Sequence, residues 1–255
     1  MNSTDILKAL KSISEQKINP IILKIFKALK NKSPADLQKD INLHFRAFFK
    51  DKYSFVIENG WLLDPDWSSD VTYQLELLAN DKTDFDAFLT KFYTAEKTQK
   101  IFDRINYIID RNDTKWNFLL SESIEAFNKD LFHLTIPALF SILEGVLTVN
   151  ENFYRSKDYG LDISTKICKT HSDRQILSNH ILFAILWALM QEYISKIFSF
   201  GKFNGPRNKI INRNWVLHGR DSCCEWKKID SISLFNTISI LLVLKYGNED
   251  YFDNC

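Results

Sequence analysis

The chain has 255 residues, of which 45% are hydrophobic and 14% aromatic, so it can bury a core in one large domain or two small ones. Its formal net charge of +1 excludes a global attraction to nucleic acid, and any contact with RNA or DNA has to come from a local patch of cations. Only 7 glycines and 5 prolines are present, which argues against a turn-rich sandwich or barrel.

The four cysteines form no CxxC pair, and no Cys/His cluster has the spacing of a zinc site. We therefore expect no metal and no cofactor, and we expect reduced thiols in a cytoplasmic protein. The adjacent pair Cys223 and Cys224 is interpreted as incidental; such a pair can be redox-active, but no neighbouring residue in the sequence is evidently placed to lower the pKa of either thiol. Residues 1–17 contain lysines but no long apolar stretch and no small-residue cleavage site, so they do not read as a signal peptide.

Apolar residues recur mostly at helical spacing, and alternating runs are few, so the sequence predicts an all-α fold. Asp84 and Asp113 are candidate N-caps, and Trp61 is expected to anchor an irregular connection over residues 53–66. In the N-terminal half the predicted helices cover residues 20–29, which are lysine-rich, and residues 34–50, 70–79, 84–111 and 113–128.

The sequence becomes more apolar after residue 130. Residues 131–149 are nearly all apolar, and Glu144 among them needs a cation or several hydrogen-bond donors if it is buried. Gly145 beside it would let another helix approach closely. Residues 153–170 read as polar connecting chain that could hold a short helix, followed by the longest helix over 172–200 and a last helix over 225–246.

Residues 181–190 carry no charge, but this run is too short to cross a bilayer, which takes roughly 20 residues. We expect no membrane span. A helix that is apolar all round is covered on every side, either by the core or by a second subunit.

A polar segment at residues 205–220 lies between these apolar runs and holds three arginines, a lysine, three asparagines and a histidine. An imidazole can accept and donate protons near neutral pH, and a guanidinium can bind phosphate through two parallel hydrogen bonds. Metal-free phosphodiester cleavage uses this pair of groups. Arg213 and His218 are five residues apart, which is about 140° of rotation on an ideal helix. They converge only if the helix loosens near Gly219 or if a second subunit supplies the other half.

The string Arg213-Asn214-Trp215-Val216-Leu217-His218 resembles the signature of the HEPN superfamily, an Arg followed after four to six residues by a His. The wider string Asn-Arg-Asn-x-x-Leu-His-Gly and the apolar helix containing Glu144-Gly145 look like one of its bacterial branches. The resemblance covers roughly residues 130–247. It implies a four-helix bundle at residues 129–255, preceded by an N-terminal helical region at residues 1–128.

The resemblance also implies a function. Members of the HEPN superfamily are usually dimeric, and many are metal-independent endoribonucleases. They act in antiviral defence, abortive infection or toxin–antitoxin growth arrest, and an antitoxin or sensor is a possible partner. Attack by the RNA 2′-hydroxyl would leave a 2′,3′-cyclic phosphate and a 5′-hydroxyl. Toxins modified by a nucleotidyltransferase antitoxin carry Tyr two residues after the His, where this chain has Arg220, which argues against that regulation.

Carried onto this chain, the resemblance makes His218 the general acid and base, Arg213 the phosphate ligand and Asn214 an orienting residue. Glu144 would pair with Arg213 and fix its orientation. Contacts to the RNA backbone would come from Arg207, Lys209 and Arg220.

Two other interpretations stay open. Arg213 and His218 could be structural, with Arg213 paired to Glu144 and His218 capping the helix end, in a non-catalytic HEPN-like module that binds RNA, a nucleotide or a protein partner. The lysine-rich N-terminus could also serve as a membrane-surface anchor.

Overall fold

The computed structural model describes residues 34–64, 66–148, 161–177, 180–199 and 207–247. These residues form helices, turns and irregular segments without strands, which confirms the all-α prediction. The predicted lysine-rich helix at residues 20–29 lies outside the described residues. The α-helices are α1 (Pro34–Lys52), α2 (Ser54–Glu58), α3 (Ser69–Leu77), α4 (Lys82–Phe92), α5 (Ala95–Ile109), α6 (Asn117–Asn128), α7 (Phe132–Thr148), α8 (Leu161–Leu177), α9 (Ile181–Ile197), α10 (Arg213–Leu217) and α11 (Lys228–Tyr246).

The single helix predicted over residues 84–111 is wrong, because the chain breaks between α4 and α5. Tyr93 leaves the helical region with φ −81° and ψ 73°, and Thr94 then caps α5 by accepting a hydrogen bond from the Lys97 amide. Asp81, not Asp84, caps α4, since its carboxylate accepts from the Thr83 amide at 2.8 Å. Large apolar residues are absent between Tyr93 and Ile101, but no Gly or Pro marks the break.

The capping and connection predictions also need correction at three other places. α6 begins at Asn117 with Trp116 as its N-cap and no side-chain cap, so Asp113 is not its cap. The irregular connection at 53–66 contains the short helix α2. Residues 161–177 form α8, where connecting chain and the start of a longer helix were expected, and α9 begins only at Ile181.

Helices α8 and α9 pack against each other. The buried hydroxyl of Ser172 donates to the Ala184 carbonyl at 2.8 Å and ties the two helices together. One face of α9 also lies against α1 and α2. The apolar run of α9 is therefore covered by this chain itself, so it gives no ground for a second subunit.

Helix α11 lies at the centre of the molecule, in contact with α5 and α7. Every residue from 229 to 244 except Asp230 is buried. Its Phe235 ring meets Phe102 edge-on at 5.0 Å and Phe127 at 5.6 Å between centroids. The hydrophobic core therefore runs continuously from the N-terminal helices into the C-terminal ones.

Helix α11 is also long and apolar enough to cross a membrane by length and composition, but 83% of its apolar window is buried inside the fold. It is the one such helix among the described residues. Core helices pass the same test, so no clear membrane span is shown.

Buried polar side chains of α11 are tied to carbonyls and hydroxyls around it. Ser231 and Thr135 share a hydrogen bond at 3.0 Å, Ser233 donates to the Gly60 carbonyl at 2.7 Å, and Asn236 donates to the Leu62 carbonyl at 3.0 Å. These bonds fasten the loop at residues 60–62 to the central helix. Trp61 is buried in that loop, at 2% exposure, which confirms its predicted role as an anchor.

Candidate functional site

Asn212 sets the start of α10, the five-residue helix that carries the Arg and His of the sequence motif. Its side-chain oxygen accepts from the backbone amides of Asn214 at 3.0 Å and Trp215 at 3.2 Å. Its amide group donates to the Ser199 carbonyl at 3.1 Å, just beyond the end of α9. Asn212 therefore caps α10 and fixes it to α9. Asn212 is the first residue of the string Asn-Arg-Asn-x-x-Leu-His-Gly, but its capping role was not predicted from the sequence.

Arg213 is the first residue of α10, and its guanidinium is held inside the protomer. Nη2 donates to Oε2 of Glu144 at 2.6 Å, and Nη1 donates to the side-chain oxygen of Asn214 at 3.0 Å. The side chains of Arg213 and Glu144 are 21% and 26% exposed. The ion pair expected for a carboxylate in this apolar helix is therefore present. It joins α7 to α10 and balances the charge of the guanidinium locally.

The Nε atom of Arg213 is buried and has no hydrogen-bond partner within the described parts of the chain. The guanidinium also lies over the ring of Phe198, with 5.8 Å between Cζ and the ring centroid. The guanidinium is therefore partly covered by this ring, while 21% of the Arg213 side chain stays exposed to solvent.

Asn214 is buried, at 5% exposure. Its amide group donates to the Phe198 carbonyl at 2.8 Å and to the Ser199 carbonyl at 3.3 Å, while its oxygen accepts from Arg213. The side chain therefore connects the end of α9 to the Arg213 guanidinium. In this arrangement Asn214 orients Arg213 and does not face the solvent.

His218 follows α10 directly and is exposed. Its backbone amide donates to the Asn214 carbonyl at 3.2 Å, and Gly219 then takes a left-handed conformation with φ +62° that ends the helix. On ideal helix geometry the Cα atoms of Arg213 and His218 are about 9 Å apart, and their side chains diverge by about 140°. The two functional groups therefore lie at opposite ends of α10, and no contact joins them among the described residues.

Of the three cations assigned to the RNA backbone, Arg207 already binds a carboxylate. Its Nε and Nη2 donate to the two oxygens of Asp221 at 2.7 and 3.2 Å, and the Asp221 side chain is only 3% exposed. Burial lowers the pKa of the Arg207 guanidinium, but the hydrogen bonds and attraction of Asp221 outweigh burial and raise it overall. Lys209 and Arg220 are exposed.

Asp221 was not singled out in the sequence, although it organises the segment after the motif. Besides binding Arg207, it accepts a hydrogen bond from Nε1 of Trp226 at 2.8 Å. Its backbone amide donates to the Trp215 carbonyl at 3.1 Å. The Arg207–Asp221–Trp226 cluster therefore fixes the chain between α10 and α11.

A second polar cluster, also missed in the sequence, is centred on Asp64 in the N-terminal half. The Tyr93 hydroxyl donates to Asp64 at 2.5 Å, Trp67 Nε1 donates to that hydroxyl at 3.0 Å, and Arg104 pairs with Asp64 at 3.2 Å and Asp66 at 2.8 Å. Burial first and Asp64 second raise the pKa of Tyr93 well above its ordinary value. The bonded partners are 26 to 40 positions apart, so no local sequence pattern predicts them.

The Asp64 cluster borders a cavity of about 200 Å³ that is also lined by Ser68, Lys97 and Lys100. Its carboxylates are already bound by Arg104, so the cluster acts as a structural tie between the loop and α5. Across the described ranges, no group of three or more His, Cys, Asp or Glu side chains could hold a metal ion.

Comparisons with known proteins add no relative to this picture. No family model matches the chain, and no curated protein and no solved structure matches it.

Proposed function

We propose that this chain is a metal-independent endoribonuclease of the HEPN type, with His218 moving protons and Arg213 binding the scissile phosphate. The observation that supports it best is the arrangement on α10. An exposed imidazole ends the same short helix that begins with a guanidinium held in one orientation by Glu144 and Asn214. Pre-oriented donors aimed at a phosphate stabilise the charge that develops there during cleavage.

The proposed reaction needs one proton removed and one delivered. The 2′-hydroxyl loses its proton to His218 and attacks phosphorus, the bond from phosphorus to the 5′-oxygen breaks, and that oxygen takes up a proton. The products are a 2′,3′-cyclic phosphate and a 5′-hydroxyl. Arg213 keeps a second N–H on each of Nη1 and Nη2, which can fork onto the phosphate oxygens. No step requires a metal.

Electrostatics near the site favour a supporting role for exposed cations. Glu144 balances the charge of Arg213 at 2.6 Å, so attraction for the RNA backbone has to come from neighbours such as Lys209 and Arg220. The motif resemblance adds further parts to this proposal. Residues 129–255 would form a HEPN-like bundle, and the protein would act as a cytoplasmic homodimer. Its role would be in bacterial defence or growth arrest, with an antitoxin or sensor as partner.

A second candidate function is a non-catalytic helical module that binds RNA, a nucleotide or a protein partner. It is favoured by one observation: Arg213 and Arg207 are each bound to a carboxylate of the same protomer, at 2.6 and 2.7 Å. In such a module the Arg213–Glu144 pair joins α10 to α7 and has no chemical task.

The test is cleavage of a mixed RNA pool in EDTA by the purified protein, with mapping of the product ends. His218→Ala should lower the rate by about 10²- to 10⁴-fold, the usual contribution of a general acid or base. His133→Ala is the matched control, since it removes another exposed imidazole, on the first turn of α7. Equal cleavage by wild type and His218→Ala would contradict the nuclease proposal.

Arg213→Lys separates the two candidates further, because it keeps the positive charge and loses the planar fork. The nuclease proposal expects slower cleavage with RNA binding largely retained. RNA binding by the wild type with no cleavage at any concentration would instead support the non-catalytic module. Circular dichroism on each variant shows whether the helical fold is intact.

A further inference from the structure

Two adjacent thiols lie on the exposed segment between the His218 end of α10 and the start of α11. Cys223 and Cys224 are both exposed and take part in no disulfide. They open a single 3-10 turn, Cys223–Glu225. Residues of the Arg207–Asp221–Trp226 cluster flank this turn on both sides.

The turn keeps the two sulfur atoms apart. A 3-10 helix has three residues per turn, so successive side chains diverge by about 120°. Their Cα atoms are separated by one trans peptide, about 3.8 Å, which is below the usual 4.4–6.8 Å range of a disulfide. A bond between these sulfurs therefore requires the turn to unwind. Such a bond is strained, and strained or exposed disulfides are the easily reduced ones.

We propose that Cys223 and Cys224 form a reversible two-thiol redox site whose reaction partner is a low-molecular-weight disulfide. One thiolate attacks a sulfur of that disulfide, forms a mixed disulfide and expels one small thiol. The second cysteine then attacks the mixed disulfide at the protein sulfur and expels the other small thiol. Both cysteines are oxidised, the small disulfide is reduced to two thiols, and the two cysteine protons end on those thiols.

Closing this bond changes the segment around it. The turn is held by the Glu225 amide donating to the Ser222 carbonyl at 3.0 Å and the Trp226 amide donating to the Cys223 carbonyl at 3.1 Å. Unwinding breaks both bonds and displaces Trp226 from Asp221. Asp221 in turn holds Arg207, so oxidation loosens the whole Arg207–Asp221–Trp226 cluster.

The test uses the intact chain in a Cys255→Ser background, in which the remaining third thiol, Cys168, is buried. The protein is equilibrated in oxidised and reduced glutathione, quenched by alkylation and analysed by intact mass and peptide mapping. We expect a product lighter by two hydrogens, with residues 223 and 224 linked and restored by dithiothreitol. Cys223→Ser and Cys224→Ser are matched controls and should give only the glutathione adduct.

A second measurement follows the structural change through Trp226 fluorescence. Oxidation should shift the emission reversibly, and the shift should be absent in Trp226→Phe. Stable glutathione adducts on the parent protein, as abundant as on the single variants, would overturn the proposal. Complete linkage of 223 to 224 with no Trp226-dependent shift would support the redox site but overturn the proposed loosening of the cluster. Neither readout depends on nuclease activity, so the two proposals can fail separately.

Discussion

Gly145 shows how the absence of one side chain positions the candidate site. A Cβ built there would lie 1.8 Å from Cζ2 and 2.3 Å from Cε2 of Trp116, so the indole packs directly on the backbone of α7. The next residue back is Glu144, which holds Arg213. The close approach that the sequence suggested for Gly145 is therefore real, and Trp116 at the start of α6 makes it.

Gly145→Ala is expected to lower the free energy of unfolding. Alanine improves helix propensity by up to about 1 kcal/mol, but forcing a methyl into the indole costs about 1–3 kcal/mol or more. Urea unfolding measures the difference. Gly219→Ala is the comparison, since space around Gly219 is open and only its left-handed φ of +62° opposes the change, at about 1–2 kcal/mol. A stabilised Gly145→Ala protein would contradict this packing.

The Arg213–Glu144 pair should be energetically coupled. Both side chains are less than one third exposed, so solvent screens the pair less than a surface ion pair. A double-mutant cycle of Glu144→Gln and Arg213→Met should give a coupling of about 1.5–3 kcal/mol, the range for hydrogen bonds to charged groups. Additive effects of the two substitutions would show that the pair does not join α7 to α10.

The loop before α3 and three helices meet in the Asp64 cluster. Tyr93 ends α4, Arg104 belongs to α5, and Asp64 lies in the loop before α3. Asn236 of α11 also accepts from Arg104, at 3.3 Å. Four elements that are distant in sequence are thereby held by one set of buried polar contacts, and such a set is costly to leave half satisfied.

The free energy of unfolding should depend on alkaline pH through Tyr93 of this cluster. Because the folded-state pKa of Tyr93 is raised above its ordinary value of about 10, the unfolded chain releases that proton first as the pH rises. The stabilisation is therefore complete below about pH 10 and is lost as the pH rises through the folded-state pKa. In alkaline urea titrations, Tyr93→Phe should reduce the loss of stability by up to about 1.4 kcal/mol per pH unit.

The matched control for that titration is Tyr73→Phe, which removes a hydroxyl from an exposed ring and should follow the wild-type curve. If the free energy of unfolding fell with pH at the same slope in wild type and Tyr93→Phe, the Tyr93 hydroxyl would not hold its proton more tightly in the folded state. Loss of stability at neutral pH is expected as well, because Asp64 and Trp67 would each lose a hydrogen-bond partner.

On the scale of the whole molecule, α11 holds the N-terminal and C-terminal helices together. Ser233 and Asn236 bond to carbonyls of the loop at residues 60–62, and Phe235 packs against Phe102 and Phe127. The core therefore continues across the boundary between residues 128 and 129 that the sequence suggested for two regions.

A fragment of residues 129–255 should not fold by itself. Without the N-terminal helices, one side of α11 would face water with Phe235 exposed and with the hydrogen bonds of Ser233 and Asn236 lost. We expect no cooperative thermal transition for the fragment and a single transition for the full chain, measured by circular dichroism. A sharp fragment transition would instead establish an independent C-terminal domain.

The sequence by itself determined the helical class, the approximate extent of α7 and α11, and the need of Glu144 for a cation. These depend on local periodicity and on the cost of burying a lone carboxylate, and both can be read from neighbouring residues. It also singled out the Arg213–His218 segment. It did not show that Asn214 would turn inward to the end of α9 or that Arg207 would bind Asp221.

Only the tertiary structure decided where the helices break, what covers α9 and which residues surround Asp64. No Gly or Pro marks the break at Tyr93, whose buried side chain is held there by Trp67 and Asp64. The partners of Asp64 come from positions up to 40 residues away and meet only after packing. Contacts of that kind depend on how whole helices pack together, so a local sequence pattern does not predict them.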